Sequence, residues 1–101
     1  SINYSFSVQS ASRVDDDNGR FDVYPNYSVM FVSATDRDVG TENLYYSVDN
    51  GSLMQLDSRL SIDLSALNRS DKMRLVRIKI IAEDKLGNKS EREVQLYIDG
   101  I

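Results

Sequence analysis

Residues 74–98 read RLVRIKIIAEDKLGNKSEREVQLYI, and this stretch decides the fold. Val76, Ile78, Ile80 and Ala82 occupy every second position. Arg77, Lys79 and Glu83 fill the alternate ones, with Leu75 and Ile81 as apolar exceptions. A period of two sends successive side chains to opposite faces, which predicts a long, half-buried β-strand. Val94, Leu96 and Ile98 repeat the pattern in a second strand. Between them Asp84-Lys85-Leu86-Gly87-Asn88 reads as a tight turn. A three-residue loop, Lys85-Leu86-Gly87, places the glycine at the left-handed position of a bulged hairpin. That register sets Asp84 against Asn88, Lys79 against Glu93 and Glu83 against Lys89. Each facing ion pair contributes about 0.2–1 kcal/mol to the register. Arg92 is the misfit, because it points inward beside Ile80. Either its stem carries the charge out at the end of the fold or a bulge turns it outward.

Working outward, Ile2 to Val8 alternates without fault and predicts a first strand with Ile2, Tyr4, Phe6 and Val8 inward. Gln9 to Gly19 is polar, carries the run Asp15-Asp16-Asp17-Asn18-Gly19, and reads as a loop. Arg20 to Tyr24 is a short strand that Pro25 ends. Tyr27 to Ala34 has apolar groups on both faces: Tyr27, Val29 and Phe31 on one, Met30, Val32 and Ala34 on the other. Such a strand sits centrally or has its second face covered. After a loop over Thr35 to Asn43, Leu44 to Val48 is a strand, and Asp49-Asn50-Gly51 is a turn. Leu53, Met54 and Leu56 mark a short strand, and Leu60 to Leu64 another. Ser65 to Lys72 reads as one helical turn with Ser65 as N-cap. The whole predicts an all-β, immunoglobulin-like β-sandwich of seven to eight antiparallel strands, one domain over residues 1–101.

Composition narrows the function classes. The chain has 101 residues, a net charge of -4 and charges of mixed sign along its length, unlike the clustered cations of a nucleic-acid surface. Its apolar runs fall short of the roughly 18 residues of a membrane span. It contains no Cys and no His, so disulfides, thiolate zinc, Ser-His-Asp and Cys-His chemistry are excluded. Paired carboxylates alone support acid/base work, but without a Gly-rich phosphate loop or a pocket signal the chain is expected not to be an enzyme. Beginning at Ser1 without Met or leader, it reads as a piece of a larger protein.

Ala82-Glu83-Asp84-Lys85-Leu86-Gly87-Asn88-Lys89-Ser90 resembles the Ala-x-Asp-x-x-Gly-Asn-x-Ser hairpin of bacterial Ig-like repeat domains. Tyr45-Tyr46-Ser47-Val48-Asp49-Asn50-Gly51 is similar to the Tyr-Ser-x-Asp-Gly-Gly strand-turn of that family, and Leu60 to Leu67 to the segment before its last hairpin. The resemblance covers roughly Val29 to Ile98. It implies a non-catalytic spacer or adhesive unit of a bacterial extracytoplasmic protein, located in the periplasm, outer membrane or cell surface. Neighbouring domains, a protein or a glycan are the implied partners, without nucleic acid and without membrane insertion. Ala34-Thr35-Asp36-Arg37-Asp38-Val39-Gly40 resembles instead the Ala-x-Asp-x-Asp-x-Gly calcium segment of cadherin-like domains. The Leu-Asp-Arg-Glu motif and Asp-x-Asn-Asp-Asn linker of those domains are absent, and the chain ends Tyr97-Ile98-Asp99-Gly100-Ile101.

Two candidate sites follow. An Ig-like topology gathers Asp36, Asp38, Asp57 and Asp84 at one pole, an oxygen-only set suited to Ca²⁺; Asp is equally a turn former. The outer face of the last hairpin and the Leu44–Val48 strand should show Tyr45, Arg77, Lys79, Ile81 and Tyr97, aromatics beside cations that suit a protein or sugar partner. Asp15, Asp16, Asp17, Asp49 and Asn50 are expected together at the opposite pole.

Overall fold

The computed structural model describes residues 1–34 and 41–101. Along these the strands are β1 (Ile2–Phe6), β2 (Ser12–Asp16), β3 (Gly19–Tyr24), β4 (Val29–Ala34), β5 (Thr41–Val48), β6 (Met54–Gln55), β7 (Ser61–Asp63), β8 (Arg74–Asp84) and β9 (Lys89–Ile98). A single 3-10 turn, Leu64–Ala66, follows β7. The strands form two packed sheets, one in the order β1-β4-β7 and one in the order β2-β3-β9-β8-β5-β6. The architecture is a β-sandwich.

The β8–β9 hairpin forms in the register its alternation dictates. Glu83 faces Lys89, Lys79 faces Glu93 and Ile80 faces Arg92. The Asp84 N–H donates to the Asn88 carbonyl at 2.9 Å and the Gly87 N–H to the Asp84 carbonyl at 3.1 Å. Gly87 has φ 84°, the left-handed conformation that a residue without Cβ adopts at least cost. Ladders to β8 and β9 build the larger sheet outward: β5 on one side, antiparallel, and β3 on the other, parallel through Val23–Tyr97 and Tyr24–Ile98. The core lies between the sheets. Met30, Val32, Ile62 and Leu64 meet Leu44, Val76, Ile78, Ile80, Leu96 and Ile98, all buried. Each such side chain contributes roughly 1.5–3 kcal/mol relative to exposure. Phe6 stacks on Tyr24 with centroids 3.9 Å apart and extends this core toward β3.

Four local features differ from the sequence reading. Ser12 to Asp16 is a strand, not loop, and with it the described residues form nine strands. It is polar because it lies at a sheet edge, where backbone pairing to β3 and the Arg13–Asp22 (3.2 Å) and Arg20–Asp15 (2.7 Å) pairs replace apolar packing. The β3–β9 pairing is parallel rather than antiparallel. The helical turn is shorter than Ser65 to Lys72, Asp63 stands at its N-cap position without a side-chain bond, and Ser65 lies inside it. The strand at Leu53 to Leu56 shrinks to Met54–Gln55, with Leu56 turned into the core. As its two apolar faces implied, β4 is central in its sheet, between β1 and β7. Its second face is open, and Phe31 is 45% exposed there. Arg92 resolves without a bulge: its Nη1 donates to the Ile2 carbonyl at 2.9 Å and its guanidinium lies 4.6 Å above the Tyr4 ring. The stem crosses from one sheet to the other and carries the charge out of the core.

One buried amide closes the pole where β9 ends. Asn68, 1% exposed, donates from Nδ2 to the carbonyls of Lys72 (2.9 Å), Ile98 (2.9 Å) and Asp99 (3.2 Å). Its Oδ1 accepts from the Ser70 N–H and hydroxyl at 3.1 and 2.8 Å. Asn26 Nδ2 adds bonds to the Asn68 and Asp99 carbonyls, and the Ile101 N–H donates to the Ser70 carbonyl. The final residues therefore lie flat against Ser70 to Lys72. At Gly100 a Cβ would stand 2.3 Å from the Asp71 carbonyl carbon and oxygen. Asn68→Ala should lower stability by roughly 2–4 kcal/mol, since it empties a buried position and removes the five hydrogen bonds of its amide. Gly100→Ala should cost about 1–3 kcal/mol by backbone displacement. Urea midpoints measure both; an unchanged midpoint for Asn68→Ala would show that the amide does not organise this pole.

Candidate functional site

Alternation along β5, β8 and β9 projects a second set of side chains away from the core, onto the outer face of the larger sheet. There Tyr45 lies opposite Ile81, Ser47 opposite Lys79, Arg77 opposite Gln95 and Leu75 opposite Tyr97. All five expected surface residues are on this face, spread along it. Tyr45 and Tyr97 are separated by six positions along β8, roughly 20 Å at the rise of a strand. That span exceeds what one sugar ring or one side chain covers.

The face divides into three parts. At one end Tyr45 and Ile81, both half-buried, adjoin Lys79. In the middle a shallow hollow of about 210 Å³ is lined by Asp49, Asn50, Leu75, Arg77 and Gln95. Glu93 Oε1 takes the Arg77 guanidinium at 2.7 Å, diagonally across the strands, although Lys79 is its direct opposite. The planar fork of Arg suits a carboxylate better than a point-charge ammonium does. Asp49 forms the wall of the hollow. Its Oδ1 accepts the Arg77 N–H at 2.9 Å and its Oδ2 accepts Arg74 Nη2 at 2.7 Å. Asp49 and Asn50 both adopt positive φ, 52° and 59°, and the Gly51 N–H donates to the Val48 carbonyl at 2.9 Å. This is the backbone of a type I′ hairpin turn, which short polar side chains tolerate.

The third part belongs to Tyr97. Its hydroxyl donates to Asp16 Oδ2 at 2.8 Å, and its ring meets Phe21 edge-on at 6.1 Å. The hydrogen bond to Asp16 first, then desolvation and the Asp16 charge, push the phenol pKa up. The β2–β3 hairpin therefore grips this end of the face, and Tyr97 serves that docking. Sequence reasoning found Tyr97 but not its partner, because β2 has no apolar alternation to reveal it.

At the pole bearing the β8–β9 turn, Asp57 and Asp84 act as turn formers. Asp57 Oδ1 accepts the Arg59 N–H at 2.9 Å. Asp84 Oδ1 accepts the N–H groups of Leu86 (2.8 Å) and Asn88 (2.9 Å), and Oδ2 accepts Asn88 Nδ2 at 3.1 Å. Asp36 and Asp38 lie outside the described residues. Among the described residues no three acidic side chains are grouped so as to hold a metal ion. Beside Asp57 a cleft of about 390 Å³ opens between the sheets; Leu44, Leu56 and Leu60 line it together with Asn43 and Gln55. The acidic run at Asp15 to Asp17 does not join Asp49 and Asn50. Because β3 runs parallel to β9, its hairpin tip lies on one flank of the sheet, and the Asp49 turn lies on the other, beyond β8.

Comparison with known proteins gives no relative: no family model, no curated protein and no solved structure matches the chain.

The Asp84 carboxyl has an acid-linked role that can be measured. Desolvation is the largest single influence and pushes its pKa up, but donors from Asn88, Leu86 and Gly87 together outweigh it and hold the pKa below the ordinary value. A depressed carboxyl stabilises the fold above its unfolded value, near 3.9, and that contribution is lost as pH falls through the folded pKa. Asp84→Asn should lower the melting temperature at pH 7 and narrow its gap to wild type below about pH 3.5. Thermal melts across pH 2–7 test this; a gap that stays constant with pH would refute the linkage.

Proposed function

We propose that this chain is a non-catalytic, immunoglobulin-like module of a larger bacterial extracytoplasmic protein, acting as a spacer or protein-interaction unit. The strand order supports the Ig-like reading. β4 and β7 pair in one sheet with β1, while β9, β8 and β5 are consecutive in the other, as E, B and G, F, C are in that topology. The resemblance of the last hairpin and of Tyr45 to Gly51 to bacterial Ig-like repeats supports the extracytoplasmic setting.

The observation that carries the spacer reading is the placement of the two ends. Ile2 lies under Arg92 near the start of β9, toward the pole of the Asp84 turn. Ile101 is fixed to Ser70 at the pole where β9 ends. The molecule measures 42 × 27 × 25 Å. A polypeptide passing through the module enters at one pole and leaves at the other, so copies joined in series extend in length rather than fold back. The chemistry agrees with this role: Asp57 and Asp84 accept backbone N–H groups of their own turns, and Asp49 ties its turn to Arg74 and Arg77 of β8.

Two copies joined directly in tandem should show, by small-angle X-ray scattering, a maximum dimension about twice the 42 Å long axis of one. A maximum dimension close to that of a single copy, as two copies folded back side by side would give, would overturn the reading. Millimolar Ca²⁺ should leave the melting temperature of the single module unchanged, because a ligand raises it only by binding the native state. A rise of several degrees would instead establish the calcium-dependent adhesive alternative.

A further inference from the structure

Among the described residues the edge of β9 is half open. β8 pairs with it along its full length, Lys89 to Ile98, whereas β3 pairs with its other side only at Tyr97 and Ile98. The orientation of the free groups follows from the ladder. Asp84 and Asn88 are a hydrogen-bonded pair, so Ser90 and Arg92 direct their backbone toward β8. Lys89, Glu91 and Glu93 then direct their N–H and C=O groups away from it. The Asp99 N–H, which donates to the Tyr24 carbonyl of β3 at 3.0 Å, continues the same odd-numbered series. Residues 89–93 are all exposed, contain neither Pro nor Gly, and keep an unbroken register with β8. An inward charge is a common guard on such an edge. Arg92 is that charge, but Ile2 and Tyr4 draw it across to β1 and away from the edge.

We propose that a second copy of this chain adds its own β9 to this edge, antiparallel, with the two-fold axis at Ser90. Charge chooses both the occupant and the register. A two-fold axis at Ser90 sets Lys89 opposite Glu91 of the other copy, twice by symmetry, and no like charges face one another. An axis at Glu91 brings the two Glu91 side chains together. An axis at Arg92 sets Glu91 against Glu93 twice, and an axis at Lys89 sets lysine against lysine. Facing like charges destabilise strand pairs and opposite ones support them. Within one copy Arg77 already holds Glu93, and Lys89 reaches Glu83 only at 3.9 Å, so Glu91 is the acid that gains most. The interface uses the flank of the sandwich rather than its poles and does not rest on the spacer reading. A short strand pair without a large apolar contact makes a weak, concentration-dependent dimer.

Sedimentation equilibrium of the full chain should show reversible dimerisation at high protein concentration. Glu91→Lys, which converts both axial ion pairs to like-charge pairs, should remain monomeric over the same range, and Lys89→Glu combined with Glu91→Lys should dimerise again. Ser90→Cys supplies an independent measurement. Ser90 faces its own symmetry mate in a non-hydrogen-bonded pair, where Cα atoms stand about 4.5 Å apart, within disulfide reach. Under mild oxidation this variant should form a covalent dimer far faster than Asn50→Cys, an exposed turn position on the other flank. These positions are exposed, and unchanged circular dichroism confirms that each variant folds. A monomeric wild type at every concentration, equal crosslinking of the two cysteine variants, or undiminished dimerisation of Glu91→Lys would each overturn the proposal.

Discussion

The side-chain amide of Asn68 is the constraint on which the closure of the sandwich depends. The chain must pass from β7 in the small sheet to β8 in the large one, and it must do so over the end of an apolar core. Backbone groups carried across such a place lose water and need other partners. The carbonyls of Lys72, Ile98 and Asp99 converge on the Asn68 Nδ2, which shares its two hydrogens among the three. The Ser70 N–H and hydroxyl complete Oδ1. A hydrophobic residue of the same size would fill the space but take a donor away from each of these carbonyls. The amide therefore welds the crossover to the last strand, and through Asn26 to the turn that precedes β4. A satisfied buried network of this kind rigidifies the structure because each bond fixes the geometry of the next.

The β8–β9 hairpin is the spine to which the sheets are then attached. Its turn is held by Asp84 from within, so its register does not depend on any other strand. Its apolar face, from Val76 to Ala82 and from Val94 to Ile98, receives the small sheet. Its two edges receive different neighbours. β5 follows β8 closely from Asn43 to Val48, whereas β3 pairs with β9 at two residues, and the β2–β3 hairpin meets the Tyr97 side chain through Asp16 and Phe21. The N-terminal segment thus serves both sheets, β1 in one and β3 in the other. Among the described residues this division leaves part of the β9 edge unpaired, while Arg92 bridges the gap between the layers.

How much of this was legible in the sequence depended on burial. β8, β9, β1, β4 and β5 each present one face to the core, and a period of two records that directly. The hairpin register, the glycine at position 87 and the turn at Asp49 were legible because their conformations select particular residues. β2 was not, because an edge strand whose faces both remain largely wet has no reason to alternate. The role of Asn68 was hidden for a different reason. An asparagine in a polar connection looks the same whether it is solvated or buried, and its partners are distant in sequence by up to 31 residues. Arg92 was visible as a contradiction, but its resolution required β1 to lie across from β9. Tyr97 was placed on the correct face, yet its neighbours Asp16 and Phe21 come from a hairpin that pattern alone did not reveal. Of the acidic pole, the turn-forming role of Asp57 and Asp84 follows from residue type; Asp36 and Asp38 lie outside the described residues.

Much of the charge on this surface is arranged in exposed pairs. The ion pairs Arg13–Asp22, Arg20–Asp15, Arg74–Asp49 and Arg77–Glu93 are all substantially exposed. Pairs in that setting contribute about 0–1 kcal/mol each, and salt screens them. Their effect is therefore one of selection rather than strength: they favour one register over its neighbours while the apolar core supplies the stability. The carboxylates of Asp84 and Asp57 accept N–H groups of the turns they shape, and that of Asp49 accepts the Arg77 N–H and the Arg74 guanidinium of β8. Charge on these turns and strands thus helps to hold the shape of the sandwich.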